Sequence, residues 1–279
     1  SFYLEEARRL GVTILSPDVN ESESYFTAND NVPWLRIGLL QIKGLTRHTL
    51  TALLEKRTER PFESLEDFCV RVKPTYREAE TLIRCGTFDS LGYTRPQHLW
   101  RLKLFYHKLK ASRDGMFPSV MKTSSEIPRV DYPLEKKLRD ELELMELTVE
   151  KHPLWIWKEA LQQHVNKMGR FVHSQELTRH VGTKVKLVGW MLTTRQTKTK
   201  PGEIMQFLSC EDLTATYEAV LFPGTYRKFG HFIRSRGPYI IEGHVEKDFG
   251  HTPVTVEKLT VLADSEPPIP NMKQSWNRS

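Results

Sequence analysis

The stretch Ile42-Lys43-Gly44-Leu45-Thr46-Arg47 carries the most specific chemistry in this sequence of 279 residues. A tight glycine bend between two apolar-periodic segments is the mark of a helix-hairpin-helix. Such a bend aims the N–H groups that open the second helix at an anion, and the helix dipole favours negative charge there. Lys43, Gly44, Leu45, Thr46 and Arg47 are therefore candidates for gripping duplex phosphate, a contact that positions a protein without reading bases. A purely structural helix–helix turn is the alternative, since Thr46 stands where the familiar pattern has a second glycine. A second bend, Cys85-Gly86-Thr87-Phe88-Asp89, follows about forty residues later. Gly86 is its candidate contact. A phosphate beside Asp89 is unfavourable, so packing is its main expected role.

Two further constellations stand out. Thr194-Arg195-Gln196-Thr197-Lys198-Thr199-Lys200-Pro201-Gly202 reads as a basic loop, with Trp190, Phe207, Tyr217 and Phe249 on strands nearby. Cations that track phosphates, interleaved with rings that stack on bases, are how small barrels hold single strands. Trp190, Arg195, Lys198, Lys200 and Phe207 are the single-strand candidates; the competing reading puts the aromatics in the core. In Arg113-Asp114-Gly115-Met116-Phe117, an apolar pair sits inside a polar segment. It could dock into a partner's pocket or fold back on its own domain.

Catalytic patterns are not evident: the sequence has no Asp-x-Asp pair, P-loop, G-x-S-x-G or H-E-x-x-H. The formal net charge of +6 favours an anionic partner only modestly. Cys69, Cys85 and Cys210 are three, distant and outside any C-x-x-C pair, which argues against a disulfide framework or zinc site and fits a reducing, cytoplasmic setting. No run long enough for a membrane span occurs, and no signal peptide opens the chain. Ser1-Phe2-Tyr3-Leu4 reads as helix interior without an initiator Met, as expected of a fragment.

The elements that must position these residues follow from periodicity. Residues 2–10 read as a helix closed by Gly11, Val12 to Leu15 as an extended run, and Asn29-Asp30-Asn31 as a turn. From Pro33 to Leu109 the reading is helical, with Trp34, Leu35, Ile37, Leu39 and Leu40 in the hairpin's first helix. Residues 47–57 form its partner, Ser64 caps a short helix, and Thr75-Tyr76-Arg77-Glu78 is a capping box. Residues 111–134 lose periodicity and read as a linker, and residues 135–149 return to a charged helix stopped by His152-Pro153-Leu154. From about residue 181 the period becomes two. Strands at 203–210, 216–222, 238–247 and 252–262, with a helix at 226–234, give the OB-fold layout.

In this order the parts resemble the C-terminal half of the bacterial family C DNA polymerases, the DNA polymerase III alpha subunit type. The resemblance rests on Tyr3 to Gly11 with Pro17-Asp18-Val19-Asn20, Ile37 to Gly44, Phe62 to Phe68, Cys85 to Gly92, His152-Pro153-Leu154, Glu211 to Thr214 and Leu221-Phe222-Pro223. It implies a multidomain α + β chain: the end of the fingers (1–32), a tandem helix-hairpin-helix block (33–110), a linker with a clamp-binding-like segment (111–134), a helical connector (135–180), a five-stranded OB barrel (181–263) and a tail (264–279). It further implies duplex DNA at the hairpins, single-stranded template near the barrel, and a sliding clamp at Arg113, Asp114, Gly115, Met116 and Phe117. In that segment Arg113 replaces the usual leading Gln.

Other replisome subunits are possible partners and a membrane is not. The family's catalytic aspartates, with their Mg2+, belong to a palm outside this sequence, so the piece alone is expected to be inactive and cofactor-free. Ending soon after the barrel would favour an error-prone paralogue if that end is natural. The rival readings are a pure protein-interaction module and an RNA-binding OB appendage of a translation enzyme.

Overall fold

Ser64 and Thr75 start helices where the capping pattern puts them. The Ser64 hydroxyl accepts from the Asp67 amide to open α3 (Leu65–Val72), and Thr75 forms a reciprocal capping box with Glu78 at the start of α4 (Tyr76–Arg84). Each such cap is worth about 1 kcal/mol. The computed structural model describes residues 2–29, 31–113, 129–248 and 250–262. It divides into two compact units, Ser1–Lys151 and His152–Ser279.

In the first unit, α1 (Phe2–Arg9) leads into a small sheet of β1 (Thr13–Leu15), β2 (Thr27–Asn29) and β3 (Trp34–Arg36) in the order β1-β3-β2. The expected turn at residues 29–31 is made by the Asn29 side chain, which accepts from the amides of Asn31 and Val32. The expected helix through Trp34 and Leu35 is corrected. These residues form the central strand, parallel to β1 and antiparallel to β2, and Leu39–Gln41 is a single 3-10 turn. Non-local pairing on both sides of β3 overrides the helical spacing of its apolar residues.

Helix α2 (Arg47–Glu59), α3, α4, α5 (Arg95–Arg113) and α6 (Leu134–Met145) complete the unit. Its core joins Leu53, Phe62, Leu65, Phe68, Leu82, Ile83, Phe88 and Leu102, all essentially inaccessible. Phe62, Phe68 and Phe88 meet edge to face at 5.2 Å, an arrangement worth about 0.5–1.5 kcal/mol per pair beyond area burial. The stretch read as one connector, 135–180, divides. Helix α6 belongs to the first unit, where Arg84 pairs with Asp140 and Arg95 with Glu141, and it ends at Glu146 in the left-handed region rather than at His152.

Lys73, which closes α3, also has a left-handed backbone, φ 55. That conformation crowds Cβ in any residue but glycine. Lys73→Gly is expected to raise stability by about 0.5–1 kcal/mol, after the extra unfolded-chain freedom of glycine is subtracted. A melting temperature that stays level or falls would show that the turn stores no strain.

The second unit opens with the turn Pro153–Trp157, α7 (Lys158–Met168) and the turn Ser174–His180. His152 caps the first of these, its Nδ1 accepting from the Leu154 amide. Then come β4 (Lys184–Lys198), β5 (Ile204–Glu211), β6 (Thr216–Leu221), α8 (Pro223–Phe229), β7 (Tyr239–Val245) and β8 (Val254–Val261). The strands close a barrel in the order β4-β5-β6-β8-β7. Only the β6–β8 pairing is parallel, and the helix follows the third strand, as in an OB-fold. Leu187, Leu208, Cys210, Ala219, Leu221, Ile241 and Val254 fill its interior.

Candidate nucleic-acid interface

At the first hairpin Gly44 takes φ 79, with open space where a Cβ would lie. Ile42 is buried and Leu45 packs against the core, so the bend is anchored by its apolar neighbours. The amides then divide. Lys43 N–H donates to the Leu144 carbonyl at 2.9 Å. Thr46 N–H and its hydroxyl donate to Glu78 Oε1 at 3.0 and 2.7 Å, while Thr46 Oγ1 accepts from the Thr49 amide. Thr46 is thus corrected from a phosphate donor to an internal cap. A carboxylate from α4 already occupies the positive end of α2 and satisfies its dipole. Lys43 is also engaged, 2.7 Å from Glu146. Among the described residues, the amides of Gly44, Leu45, Arg47 and His48 have no acceptor, and the Arg47 and His48 side chains are exposed.

Glu78 is 4% exposed. Burial alone would push its carboxyl up, but the bonds from the Thr75 amide, the Thr46 hydroxyl and amide and Thr49 outweigh it and hold the group at about 2. Amide and hydroxyl donors converging on one carboxylate favour the charged form more than burial penalises it.

The second bend is closed to ligands. Cys85, Gly86, Thr87 and Phe88 are all buried, and Gly86 N–H donates to the Ile83 carbonyl. Gly86 has φ 84, and a Cβ there would lie 2.4 Å from Arg95 Nη2. That guanidinium in turn pairs with Asp89 and Glu141. Packing, the main role expected of this bend, is what Gly86 does, because the glycine makes room for a buried arginine; its candidacy as a phosphate contact is corrected.

On the barrel, the stretch read as a basic loop is mostly strand. β4 runs on to Lys198, with Arg195 opposite Phe207, Thr197 opposite Met205 and Lys198 opposite Ile204. Only residues 199–203 turn, tied by the Thr199 N–H to the Glu203 carbonyl. Alternation puts Arg195, Thr197, Met205 and Phe207 on one side of this two-stranded arm. The Arg195 guanidinium lies 5.0 Å over the half-buried Phe207 ring. On the other side, Gln196 donates to the Tyr226 hydroxyl and Gln206 to Thr194. Lys198 and Lys200 are exposed.

Trp190 is corrected: it is 0% exposed, with its ring 5.7 Å from Trp157, so no base can reach it. Tyr217 is also core, its hydroxyl donating to the Val188 carbonyl. Phe249 lies outside the described residues. The exposed Thr197 and half-buried Met205 beside the Arg195–Phe207 pair were missed by sequence reasoning. The threonines at 193, 194 and 197 are the strand signal that would have found them.

A family model described as a helix-hairpin-helix motif matches residues 11–98. The DNA polymerase III subunit alpha of Halalkalibacterium halodurans is 28% identical over 280 residues, covering 96% of this chain and 24% of that protein. That of Bacillus subtilis is 30% identical over 262 residues, 88% of this chain and 22% of that protein. The error-prone DNA polymerase of Symbiobacterium thermophilum is 28% identical over 305 residues, 92% of this chain and 28% of that protein.

The chain belongs to the DNA polymerase III alpha family. It spans about a quarter of the length of these relatives. A relative named DNA polymerase III subunit alpha and one named error-prone DNA polymerase match at the same 28%, so identity does not separate the two. Among solved structures, a replication protein A domain from Methanococcus maripaludis aligns at a TM-score of 0.25 and 12% identity, over 29% of this chain and 85% of that one; the barrel assignment here rests on strand order.

Of the family's clamp-binding-like segment, Arg113 is the last residue of α5, and Asp114, Gly115, Met116 and Phe117 lie outside the described residues. Among the described residues no group of three His, Cys, Asp or Glu could hold a metal. No described helix is long and apolar enough to cross a membrane.

Proposed function

We propose that this chain is a DNA-holding region of a DNA polymerase III alpha-type protein. Its barrel arm takes single-stranded template, and the Gly44–Leu45 bend before α2, with Arg47 and His48 beside it, takes a phosphate of the duplex. The observation that carries the reading is the Arg195 guanidinium stacked on Phe207 on an arm that continues into Lys198 and Lys200. Charge follows the strand's phosphates while a ring offers a sequence-tolerant platform to a base. At the hairpin, the amides of Gly44 and Leu45, with Arg47 and His48 beside them, remain open after Glu78 has taken Thr46. Arg113 to Phe117 is proposed to dock the sliding clamp, and polymerisation itself is proposed for the whole protein.

Binding of this chain to primed DNA is expected to fall linearly on a log–log salt plot between about 50 and 200 mM salt, with little base preference. A flat plot would remove the reading. Arg47→Glu is expected to weaken duplex binding by about threefold to tenfold and to lower the salt slope by about one, as the loss of one phosphate contact requires. Single-strand binding should change less than the duplex value. Equal losses on both substrates would show that the hairpin does not specialise in duplex.

A further inference from the structure

Helix α5 carries six lysines and arginines over its 19 residues and no aspartate or glutamate. Two of the six are used inside the fold: Arg95 pairs with Asp89 and Glu141, and Arg101 with Glu66. Leu102 is fully buried, and Leu99, Phe105 and Tyr106 pack beside it. At 100° per residue, Lys110, Lys103, His107 and Trp100 fall within an arc of about 80°, which starts about 80° round from Leu102 and ends near the opposite face.

All four are exposed, and Lys103, His107 and Lys110 have no acidic partner among the described residues. Trp100 is 51% exposed, a large apolar surface left in water on the same stripe. Lys73 lines a groove together with Lys110 and adds charge at that end. Unpaired cations in a row next to a half-bared indole describe a surface built for a polyanion that also offers an apolar contact.

We propose that this stripe of α5 is a second track for duplex DNA, a reading that rests on the DNA-holding function above. Lys103 to Lys110 spans about 10 Å along the helix axis, and a duplex holds neighbouring phosphates at a fixed spacing of the same order. A straight helix suits that fixed spacing; a single strand imposes no such line. The lysines neutralise phosphates without reading bases, and the Trp100 indole lies against the sugar at the end of the row.

The test uses the whole 279-residue chain with a fluorescein-labelled duplex of about thirty base pairs and an oligo(dT) of similar length, titrated at several salt concentrations. The double variant Lys103→Glu/Lys110→Glu should weaken duplex binding about tenfold or more and lower its log–log salt slope by about two, while oligo(dT) binding stays within about twofold. Lys103→Gln/Lys110→Gln should show a smaller loss in the same direction, with the melting temperature of both variants at the wild-type value. Trp100→Ala should cost about threefold on duplex at unchanged slope. Duplex affinity unchanged by the charge reversal, or oligo(dT) affinity reduced as much as duplex, overturns the track while a steep wild-type slope leaves the DNA-holding reading intact. A flat wild-type slope removes both.

Discussion

Glu78→Ala is expected to lower the unfolding free energy by about 3 kcal/mol at neutral pH, read as a shift of the urea midpoint at constant m-value. One carboxylate accepts from the Thr75 amide and hydroxyl at 2.9 and 2.8 Å and from the Thr46 amide and hydroxyl at 3.0 and 2.7 Å. It therefore caps two helices, α4 through its own capping box and α2 across a gap of 32 residues in sequence. Alanine leaves four donors to water or to nothing, and the buried ones lose most.

The pH dependence has a fixed sign. Folding lowers the Glu78 carboxyl from its ordinary 4.5 to about 2. The stabilisation is nearly complete above pH 4.5 and is lost as pH falls from there through 2, below which both states are protonated. A shift of that size corresponds to about 3 kcal/mol in all, of which about 2 kcal/mol is gone by pH 3. The wild type should therefore lose stability on acidification more steeply than Glu78→Gln, and the two should converge only below about pH 2. Parallel acid titrations of the two proteins would show that Glu78 is not the linked group.

Glu78 also marks where sequence reading stops. Its capping box with Thr75 is local and legible, because three residues separate the partners and the pattern has one geometric use. Its bond to Thr46 depends on how α4 packs against α2, which no spacing records. That unseen bond turns Thr46 from a ligand donor into a cap. The same limit explains Gly86: the glycine bend was legible, but the arginine filling the space beside it comes from α5.

Trp34 to Arg36 failed for a related reason. Apolar residues at helical spacing were legible, whereas the parallel pairing to Thr13–Leu15 is not a local property. In the barrel, alternation over short runs placed the four later strands to within a few residues, because one buried face imposes a period of two, but the far end of β4 read as a loop. It could not say which aromatic faces inward. Trp190 and Phe207 read alike in sequence, and only the closed barrel puts one at 0% exposure and the other under a guanidinium.

That difference sets the second large effect. Phe207→Ala is expected to weaken binding of an oligo(dT) of about twenty nucleotides about tenfold, the loss of one base-stacking platform, with an unchanged salt slope because no charge is removed. Arg195→Glu should cost a similar factor but lower the slope by about one to two, since a phosphate neutraliser becomes a repeller. The Arg195 guanidinium rests on the Phe207 ring, so the double variant should fall short of the product of the two single losses, the sign of one coupled contact. Duplex binding should move less than about threefold in each, because the rigid phosphate line meets the hairpin unit instead. Trp190→Phe, by contrast, should lower the melting temperature and leave the single-strand affinity of the folded protein alone. If Phe207→Ala and Arg195→Glu both leave oligo(dT) affinity within about twofold, the strand does not cross this arm, however basic its sequence.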